Sequence, residues 1–401
     1  MAPAWLILPY FCWSNMDVVA CSVWAGSCGR WLYNRLKRHG SLDSGTWPLA
    51  TADNARDIFH YCKLIQGVYE KTPLDLVKST GYGEQDWIVK LVSKTSRHCP
   101  PHYIMRDPVR KEIVVCIRGL NLAEPVNYLV LADTRKGSQP FDGGYVHRGL
   151  LNAAEWLRDS QSDTLKEEFE NNPDYRLTIV GHSLGAGVAS LLTVLLVNHR
   201  NLVGNIKREQ IQCYCIAPAR SMSLNLAIRY SDVINGVVLQ DDFLARTSTP
   251  IVKIFLLTSL VFTVAVIWWR CVVDTCISER TMLNDDKRLY PPGRLYHITY
   301  KEPCCCWCSL LRPCRIKTAI PVEGRFERLV LSSTVTRDHH ILNYIEFSNK
   351  AIKELEEIQL EAPKPQRMKR LNSLHIVSDL EREDPNKTYA TVVLQRTSEG
   401  S

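Results

Sequence analysis

One stretch near the middle of the chain constrains the fold more strongly than any other. The aliphatic run Leu177–Val180 leads directly into Gly181-His182-Ser183-Leu184-Gly185, and the apolar run Ala186–Val197 follows. The first run fits a short buried strand, whereas the second has the length of a helix. A strand, a tight glycine-flanked turn and a helix in immediate succession indicate the strand–turn–helix unit of an α/β fold.

Other segments extend this pattern. Tyr103–Arg106 and Ile113–Ile117, on either side of the turn Asp107-Pro108, predict a hairpin. Apolar residues at helical spacing precede it, from Ile58 to Tyr69. Further short apolar runs that are consistent with strands are Ile211–Ile216, Val233–Leu239 and Leu329–Leu331. Short buried strands that alternate with helices predict a mostly parallel central sheet flanked by helices.

The composition excludes several classes of protein. The 401 residues carry a formal net charge of +7, and no block of Lys and Arg is interleaved with aromatic residues. A charge this mild favours an anionic membrane surface over nucleic acid as a partner. The 15 cysteines form no secreted disulfide framework, which favours a reducing compartment. Cys305 and Cys308 lack the second ligand pair of a zinc site, so neither a metal ion nor another cofactor is predicted.

The two ends of the chain differ from the middle. Residues 1–48 are apolar and rich in tryptophan, with cations after the apolar runs, which predicts a leader that associates with a membrane. The positive-inside rule then leaves the remainder on the cytoplasmic face. A basic amphipathic stretch around Trp31 could bind calmodulin, but a membrane-surface helix has the same features and is preferred. Residues 362–401 are polar, which predicts a disordered tail.

Ser183 is the candidate nucleophile, because a serine between a strand and a helix in the pattern G-x-S-x-G forms a nucleophile elbow. The sharp turn projects the hydroxyl near the N-terminus of the helix, where N–H groups favour a developing oxyanion. The hydroxyl also needs a histidine that accepts its proton and a carboxylate that orients the histidine.

In this fold the acid and then the histidine follow the serine along the chain. Asp241 and Asp242 both follow the strand Val233–Leu239, and His339 and His340 both follow the last predicted strand. Position alone therefore leaves two candidates for each role. The remaining histidines that we considered precede Ser183 or lie within an apparent strand, and are interpreted as structural: His147, His182 and His297.

These features resemble the class 3 lipase family, and more closely its diacylglycerol-lipase-like branch. The resemblance extends from about Thr51 to Leu355 and rests on ordered landmarks: Val115-Cys116-Ile117-Arg118-Gly119, His147-Arg148-Gly149, Gly181 to Gly187, Val238 to Arg246, and Asp338-His339. It implies an α/β-hydrolase with an apolar insertion between the catalytic aspartate and histidine. It selects Asp242 and His339 over their neighbours, and it implies an oxyanion hole formed by the N–H groups of Leu120 and Leu184.

The chain departs from the family pattern at two positions. Leu120 replaces the usual Thr or Ser, which removes any hydroxyl support for the oxyanion but keeps the backbone N–H. Ala245 replaces the proline before the arginine of the acid loop, which is expected to loosen that loop. Both departures leave the triad residues in place.

The hydrolase domain is expected to cover residues 49–361, with an insertion at 248–320. The insertion contains an apolar segment, 251–273, and a cysteine patch, 304–314, for which S-acylation and an unmodified apolar loop are the alternatives. We expect segment 251–273 to enter one leaflet or cover the site rather than to span the bilayer. A single crossing would place Asp242 and His339 on opposite sides of the membrane.

The sequence thus predicts a serine lipase that hydrolyses an acyl ester of diacylglycerol, or of a related glycerolipid, at a membrane surface. Phospholipase A1-type activity is a neighbouring alternative. The alternative from another class is a catalytically weak membrane-binding or regulatory module that keeps the fold, which the substitutions at Leu120 and Ala245 motivate.

Overall fold

The computed structural model describes residues 40–70, 72–92, 99–119, 138–246, 279–300, 314–327 and 334–361, together with Val330 and Ser332. The chain divides into a compact unit that ends at Glu356 and a C-terminal unit, of which residues 357–361 are described. Several predictions concern residues outside the described ones: the leader up to residue 39, Leu120, the apolar segment 251–273, the cysteine patch apart from Cys314, and the tail 362–401.

The described strands, in chain order, are β1 (Trp87–Val92), β2 (His102–Asp107), β3 (Glu112–Ile117), β4 (Ser138–Phe141), β5 (Gly144–His147), β6 (Arg176–His182), β7 (Ile211–Ile216), β8 (Met222–Ser223), β9 (Ile234–Leu239), β10 (Leu289–Tyr290), β11 (Arg294–Thr299) and β12 (Arg315–Ala319). Eight of them form the central sheet, in the order β1-β2-β3-β6-β7-β9-β11-β12. The pairs from β3 to β11 are parallel, and antiparallel pairs lie at both edges. The mostly parallel sheet predicted from the sequence is confirmed.

The described helices are α1 (Ala52–Gly67), α2 (Pro73–Thr80), α3 (Arg148–Asn171), α4 (Leu184–Asn198), α5 (Leu224–Arg229), α6 (Glu279–Leu283) and α7 (Ile341–Glu361). Successive side chains of a strand point to opposite sides of the sheet, and here both of these faces are apolar. Ile113, Val115 and Ile117 belong to the core that contains α3 and α4, while Val114 and Cys116 belong to the core that contains α1 and α7. Helices therefore cover both faces, as the alternating pattern predicted.

A smaller sheet, in the order β10-β8-β5-β4, accompanies the central one. It brings the segment before α3 against the loop after β7, since the N–H of His147 donates to the carbonyl of Ser221 at 2.9 Å. Of the helices in the described ranges, none combines the length and the apolar composition that a membrane crossing requires.

Two strands of the central sheet come from the region predicted as an insertion. β11 pairs in parallel with β9 along five residues, and β12 covers β11 on the outer side. Part of the region 248–320, predicted as an insertion, thus lies within the central sheet. Without β11, the backbone groups of β9 would form an open sheet edge beside the acid loop.

The short strand predicted at Leu329–Leu331 lies mostly outside the described residues. Val330 is buried but lies outside any strand, and its two neighbours are outside the described residues. His339 lies in the irregular segment between β12 and α7.

Residues 40–48, predicted as the end of the leader, pack against the hydrolase domain. The carbonyl of Pro48 accepts a hydrogen bond from the N–H of Thr318 at 2.9 Å, and the Trp47 side chain is buried against Phe326 and His297. The packed domain therefore begins no later than Gly40, nine residues before the predicted boundary at residue 49.

A buried glutamate holds together the edge of the sheet where the parallel strands begin. Glu112, at the start of β3, is fully buried and accepts hydrogen bonds from the hydroxyls of Tyr61 at 2.8 Å and Thr178 at 3.1 Å. The Arg176 guanidinium, at the start of β6, also donates to this carboxylate. A buried carboxylate is tolerated only when such partners replace its hydration.

Replacing Glu112 with Ala should lower the free energy of unfolding by about 3 kcal/mol, because it leaves Arg176 and Tyr61 without their buried acceptor. Urea unfolding followed by tryptophan fluorescence measures the change. The matched control is Asp174→Asn, which removes an exposed ion pair with Lys111 at the same edge and should hardly change the midpoint. Equal midpoints for Glu112→Ala and wild type would show that this network adds nothing to stability.

Candidate active site

Ser183 occupies the tight turn between β6 and α4, with φ 60° and ψ −125°. This backbone conformation is unfavourable for a residue with a side chain, and it persists only where surrounding contacts enforce it. The Ser183 N–H donates to the carbonyl of Ile216 at 3.0 Å, which ties the turn to the end of β7. Gly185 completes the turn, since a Cβ there would lie 2.4 Å from the carbonyl oxygen of Ile117. The local sequence thus forms the elbow that its glycines predicted.

Three side chains from separate parts of the chain meet at this turn. The Nε2 of His339 lies 3.0 Å from Ser183 Oγ. The Nδ1 of the same imidazole lies 3.0 and 3.1 Å from the two carboxylate oxygens of Asp242. Nδ1–H can therefore donate to the carboxylate while Nε2 faces the serine hydroxyl, which is the arrangement that transfers a proton from serine to histidine.

The carboxylate of Asp242 is completely buried. Burial by itself raises its pKa, but the adjacent His339 and the hydrogen bonds to the carboxylate outweigh burial, so the pKa of Asp242 is lower than its ordinary value. Besides His339, the donors are the hydroxyl of Tyr344 at 2.7 Å and the N–H of Leu244 at 2.9 Å. Asp242 is therefore ionised at neutral pH, as an acid that orients a histidine must be.

Asp241 and His340, which are adjacent to Asp242 and His339 in the sequence, make their contacts away from Ser183. Asp241 accepts a hydrogen bond from the N–H of Gly40 at 2.7 Å and lies 3.4 Å from the hydroxyl of Thr334. His340 is exposed, and its Nδ1 lies 3.4 Å from the N–H of Leu342. The structure therefore brings Ser183 together with Asp242 and His339, and it directs the other member of each pair away from the serine.

His182, which the sequence suggested to be structural, supports the site directly. Its Nε2 lies 3.1 Å from the carbonyl oxygen of His339, and its Nδ1 lies 2.6 Å from the hydroxyl of Tyr69. Burial lowers the pKa of His182 to about 3, so the ring is neutral. Both contacts are satisfied when Tyr69 donates to Nδ1 and Nε2–H donates to His339. Only the fold reveals this role, because helical spacing marks Tyr69 merely as an apolar position.

Of the two residues implied for the oxyanion hole, Leu184 is described. It is the first residue of α4, so its N–H lies at the helix N-terminus beside Ser183. Backbone N–H groups at such a terminus point along the helix axis and stabilise negative charge. Leu120 lies outside the described residues, and its part in the oxyanion hole stays a prediction.

The acid loop is held firmly although Ala245 replaces the proline of the family pattern. Ala245 is fully buried, and its carbonyl accepts a hydrogen bond from Nε of the buried Arg220 at 3.0 Å. The same guanidinium donates to the carbonyl of Arg246 at 3.1 Å and to that of Phe326 at 2.7 Å. Contacts from outside the loop thus supply rigidity that a proline ring would supply locally.

Cys314 is the one member of the cysteine patch among the described residues. Its thiol is buried and lies 3.1 Å from the carbonyl oxygen of Phe347. Burial raises its pKa to about 12. A thiol that is inaccessible and protonated is a poor site for acylation, so Cys314 is better interpreted as a core residue.

Comparisons with known proteins agree with this geometry. The family model for class 3 lipases matches residues 114–251, about a third of the chain. Diacylglycerol lipase-beta of Mus musculus is 27% identical over 183 residues, which is 43% of this chain and 25% of that protein. Diacylglycerol lipase-alpha of Homo sapiens is 26% identical over 241 residues, which is 51% of this chain and 22% of that protein.

The alignments therefore cover about a quarter of the length of these curated relatives. A solved structure of Rhizomucor miehei lipase, in complex with its propeptide, is 15% identical, with a TM-score of 0.46 over 74% of this chain and 81% of that one. The family match includes β3, the elbow at Ser183 and the acid loop. Residues 114–251 of the chain thus match the class 3 lipase family, and diacylglycerol lipases are among the proteins to which the chain is similar.

Proposed function

We propose that this chain is a serine lipase that hydrolyses an acyl ester of diacylglycerol, or of a related glycerolipid, at a membrane surface. The observation that carries the proposal is the unbroken hydrogen-bonded line from Ser183 Oγ through the His339 imidazole to the buried Asp242 carboxylate. A serine hydroxyl is a poor nucleophile without such a base, and this arrangement provides one.

In the first half of the reaction, Ser183 Oγ attacks the ester carbonyl carbon while His339 Nε2 accepts the hydroxyl proton. The imidazolium that forms is stabilised by the Asp242 carboxylate, which also fixes the ring orientation through Nδ1–H. Negative charge develops on the carbonyl oxygen, where the N–H of Leu184 and, as the family resemblance implies, the N–H of Leu120 would donate to it. The C–O ester bond then breaks, and His339 gives its proton to the departing alcohol.

In the second half, a water molecule attacks the acyl group on Ser183. His339 Nε2 accepts a proton from this water, and the same oxyanion donors stabilise the second tetrahedral intermediate. The bond from Ser183 Oγ to the acyl carbon breaks, the proton returns to Oγ, and the fatty acid leaves. His339 thus acts as a base and then as an acid in each half, whereas Ser183 Oγ is the nucleophile in the first half and the leaving group in the second.

The choice of a glycerolipid substrate rests on the relatives and on the sequence around the site. The names of the curated relatives identify diacylglycerol as their substrate. Apolar stretches of this sequence also join the described residues where the triad lies. Gly40, within the predicted leader 1–48, contacts Asp241 through its N–H, and the segment 251–273 follows the acid loop that ends at Arg246. An apolar substrate would then reach Ser183 from lipid rather than from water.

A weakly active regulatory module is the alternative that the Leu120 substitution favours, since the hydroxyl typical of the family is missing there. A comparison of purified protein on diacylglycerol, phospholipid and a short soluble ester tests both proposals. Hydrolysis of diacylglycerol supports the lipase, hydrolysis of phospholipid alone redirects the proposal to a phospholipase A1-type enzyme, and no hydrolysis of any of the three supports the regulatory module.

Ser183→Ala should reduce kcat on a soluble ester by at least about a thousandfold, because no other group can form the acyl-enzyme. Initial rates on p-nitrophenyl butyrate measure this loss. A fluorophosphonate probe should label the wild type at Ser183 and leave the variant unlabelled. The control is Ser160→Ala, a change of a partly buried hydroxyl on α3 that bonds a helix carbonyl and should preserve both readouts. Labelling that persists in Ser183→Ala would exclude this serine as the nucleophile.

Asp242→Asn should lower kcat by several orders of magnitude, since the amide no longer stabilises the imidazolium and favours the wrong histidine tautomer. Asp241→Asn is the matched control, because that carboxylate bonds the Gly40 N–H instead of His339. It should keep most of the activity. The His339→Ala and His340→Ala pair gives the same contrast for the base. An inactive Asp241→Asn combined with an active Asp242→Asn would reverse the assignment.

Replacement of residues 251–273 by a short polar linker should impair hydrolysis of diacylglycerol in vesicles far more than hydrolysis of p-nitrophenyl butyrate. The reason is that a segment used to reach lipid has no part in the chemistry on a soluble ester. Rates on the two substrates, normalised to fluorophosphonate labelling, give the ratio directly. An equal loss on both would mean that the segment serves the fold instead.

A further inference from the structure

The segment Gly40–Trp47, here named the junction segment, connects the apolar leader to α1 and lies directly on the acid loop. The N–H of Gly40 donates to Asp241 Oδ1 at 2.7 Å. The approach is so close that a Cβ on Gly40 would lie 2.5 Å from the carbonyl oxygen of Gln240 and 2.7 Å from the Arg246 guanidinium. Only glycine fits at this point unless the acid loop moves.

An ion pair forms the second contact. Arg246 is completely buried, and its guanidinium donates to Oδ2 of Asp43 at 3.0 and 3.2 Å. Its third nitrogen, Nη1, donates to the backbone carbonyl of Asp242 at 3.0 Å, and the guanidinium lies 4.7 Å above the centre of the Phe326 ring. The planar fork of arginine therefore bridges a carboxylate of the junction segment and the main chain of the catalytic acid itself.

A third contact reaches the acid loop through a neutral histidine. Burial, aided by the positive charge of Arg246, lowers the pKa of His297 to about 3. Its Nε2 lies 2.9 Å from the carbonyl oxygen of Gln240 and its Nδ1 lies 2.8 Å from Ser44 Oγ. Both contacts are satisfied when Ser44 donates to Nδ1 and Nε2–H donates to Gln240. Gln240 has φ 35°, an unfavourable conformation that such a fixed carbonyl helps to maintain.

We infer that the junction segment is a positioning element for the catalytic acid, with Asp43 acting through Arg246 on the main chain of Asp242. The inference rests on the proposed function, because it concerns the geometry of that triad. Asp43, Arg246 and Gly40 act through the acid loop, so they are positioning residues. The segment that leads to the membrane-associating leader is thereby part of the support of the active site.

The alternative is that the buried ion pair contributes to stability alone, and a double variant separates the two roles. Asp43→Asn or Arg246→Met leaves one buried charge without its partner, so each should lower the Tm. Combining the two removes both charges, and the Tm should rise above that of either single variant. The Asp242 carbonyl still lacks its donor in the double variant, so kcat should remain low.

The test measures Tm, kcat and KM on p-nitrophenyl butyrate, and the rate of fluorophosphonate labelling at Ser183. Displacement of a catalytic group by about 1 Å can cost up to about a hundredfold in rate, so kcat of Asp43→Asn/Arg246→Met should fall by about 10- to 100-fold with KM nearly unchanged. Gly40→Ala, which carries no charge, should give the same loss of kcat. The matched control is Asp232→Asn/Arg208→Met. This exposed ion pair of similar geometry lies where β7 and β9 begin, at the end of these strands away from the triad.

Recovery of both Tm and kcat in the double variant would overturn the inference, since it would show a structural role alone. A matching fall of kcat in the control pair would overturn it as well. A wild-type chain that neither hydrolyses the ester nor reacts with the probe would instead overturn the proposed function, and this inference with it. Wild-type activity together with an unchanged kcat in the Asp43, Arg246 and Gly40 variants would reject this inference and leave the proposed function in place.

Discussion

The carboxylate of Asp242 is buried without any exposure to solvent, and the surrounding structure is arranged to keep it charged. Moving an ion out of water is unfavourable unless hydrogen bonds and an opposite charge replace hydration. Two of its donors, His339 and Tyr344, come from the C-terminal part of the hydrolase domain. The start of α7 must therefore dock beside the acid loop, and the fold and the site depend on the same contacts.

A related constraint appears where three adjacent parallel strands end. Ser183 follows β6, Ala217 follows β7 and Gln240 follows β9, and all three have positive φ. Each N–H donates to the next strand, with acceptors at Ile216, Val237 and Ile298 and distances of 3.0, 2.9 and 2.8 Å. One further hydrogen bond to the neighbouring strand thus stabilises the unfavourable backbone conformation of each of these residues. The abrupt turns direct the following loops over the same edge of the sheet, where the triad assembles.

Two buried histidines and two buried arginines hold the loops at this edge of the sheet in different ways. His182 and His297 are buried and neutral, so each serves as a directional donor to a carbonyl of a catalytic loop. The guanidinium groups of Arg220 and Arg246 both donate to backbone carbonyls of the acid loop. A neutral imidazole offers one donor, whereas a guanidinium offers several in a plane, so each arginine can donate to several carbonyl or carboxylate oxygens at once.

The local sequence determined the elements of this protein: the elbow around Ser183, the hairpin of β2 and β3, and the helices on either side of the sheet. The sequence signals for these elements are short-range, because aliphatic runs, the spacing of apolar residues and the placement of glycines involve positions only a few residues apart. Position in the sequence left Asp241 and Asp242 equivalent, and resemblance to a family was needed to prefer one of them. Neither approach anticipated that β11 and β12 would complete the sheet, or that Gly40 would touch the acid loop.

Those features were decided by tertiary structure alone, since they join residues far apart in the chain. Asp43 and Arg246 are 203 positions apart, and His182 and His339 are 157 apart. No local pattern encodes such a pairing, because what fixes it is the shared edge of the sheet and the need of each buried charge for a partner. The sequence by itself determined the type of turn at Ser183, the candidate nucleophile, and the position of its hydroxyl between β6 and α4. Which carboxylate and which imidazole reach that hydroxyl depended on the packing of β9, β11 and α7, where one residue of each adjacent pair is buried toward Ser183 and the other is turned away.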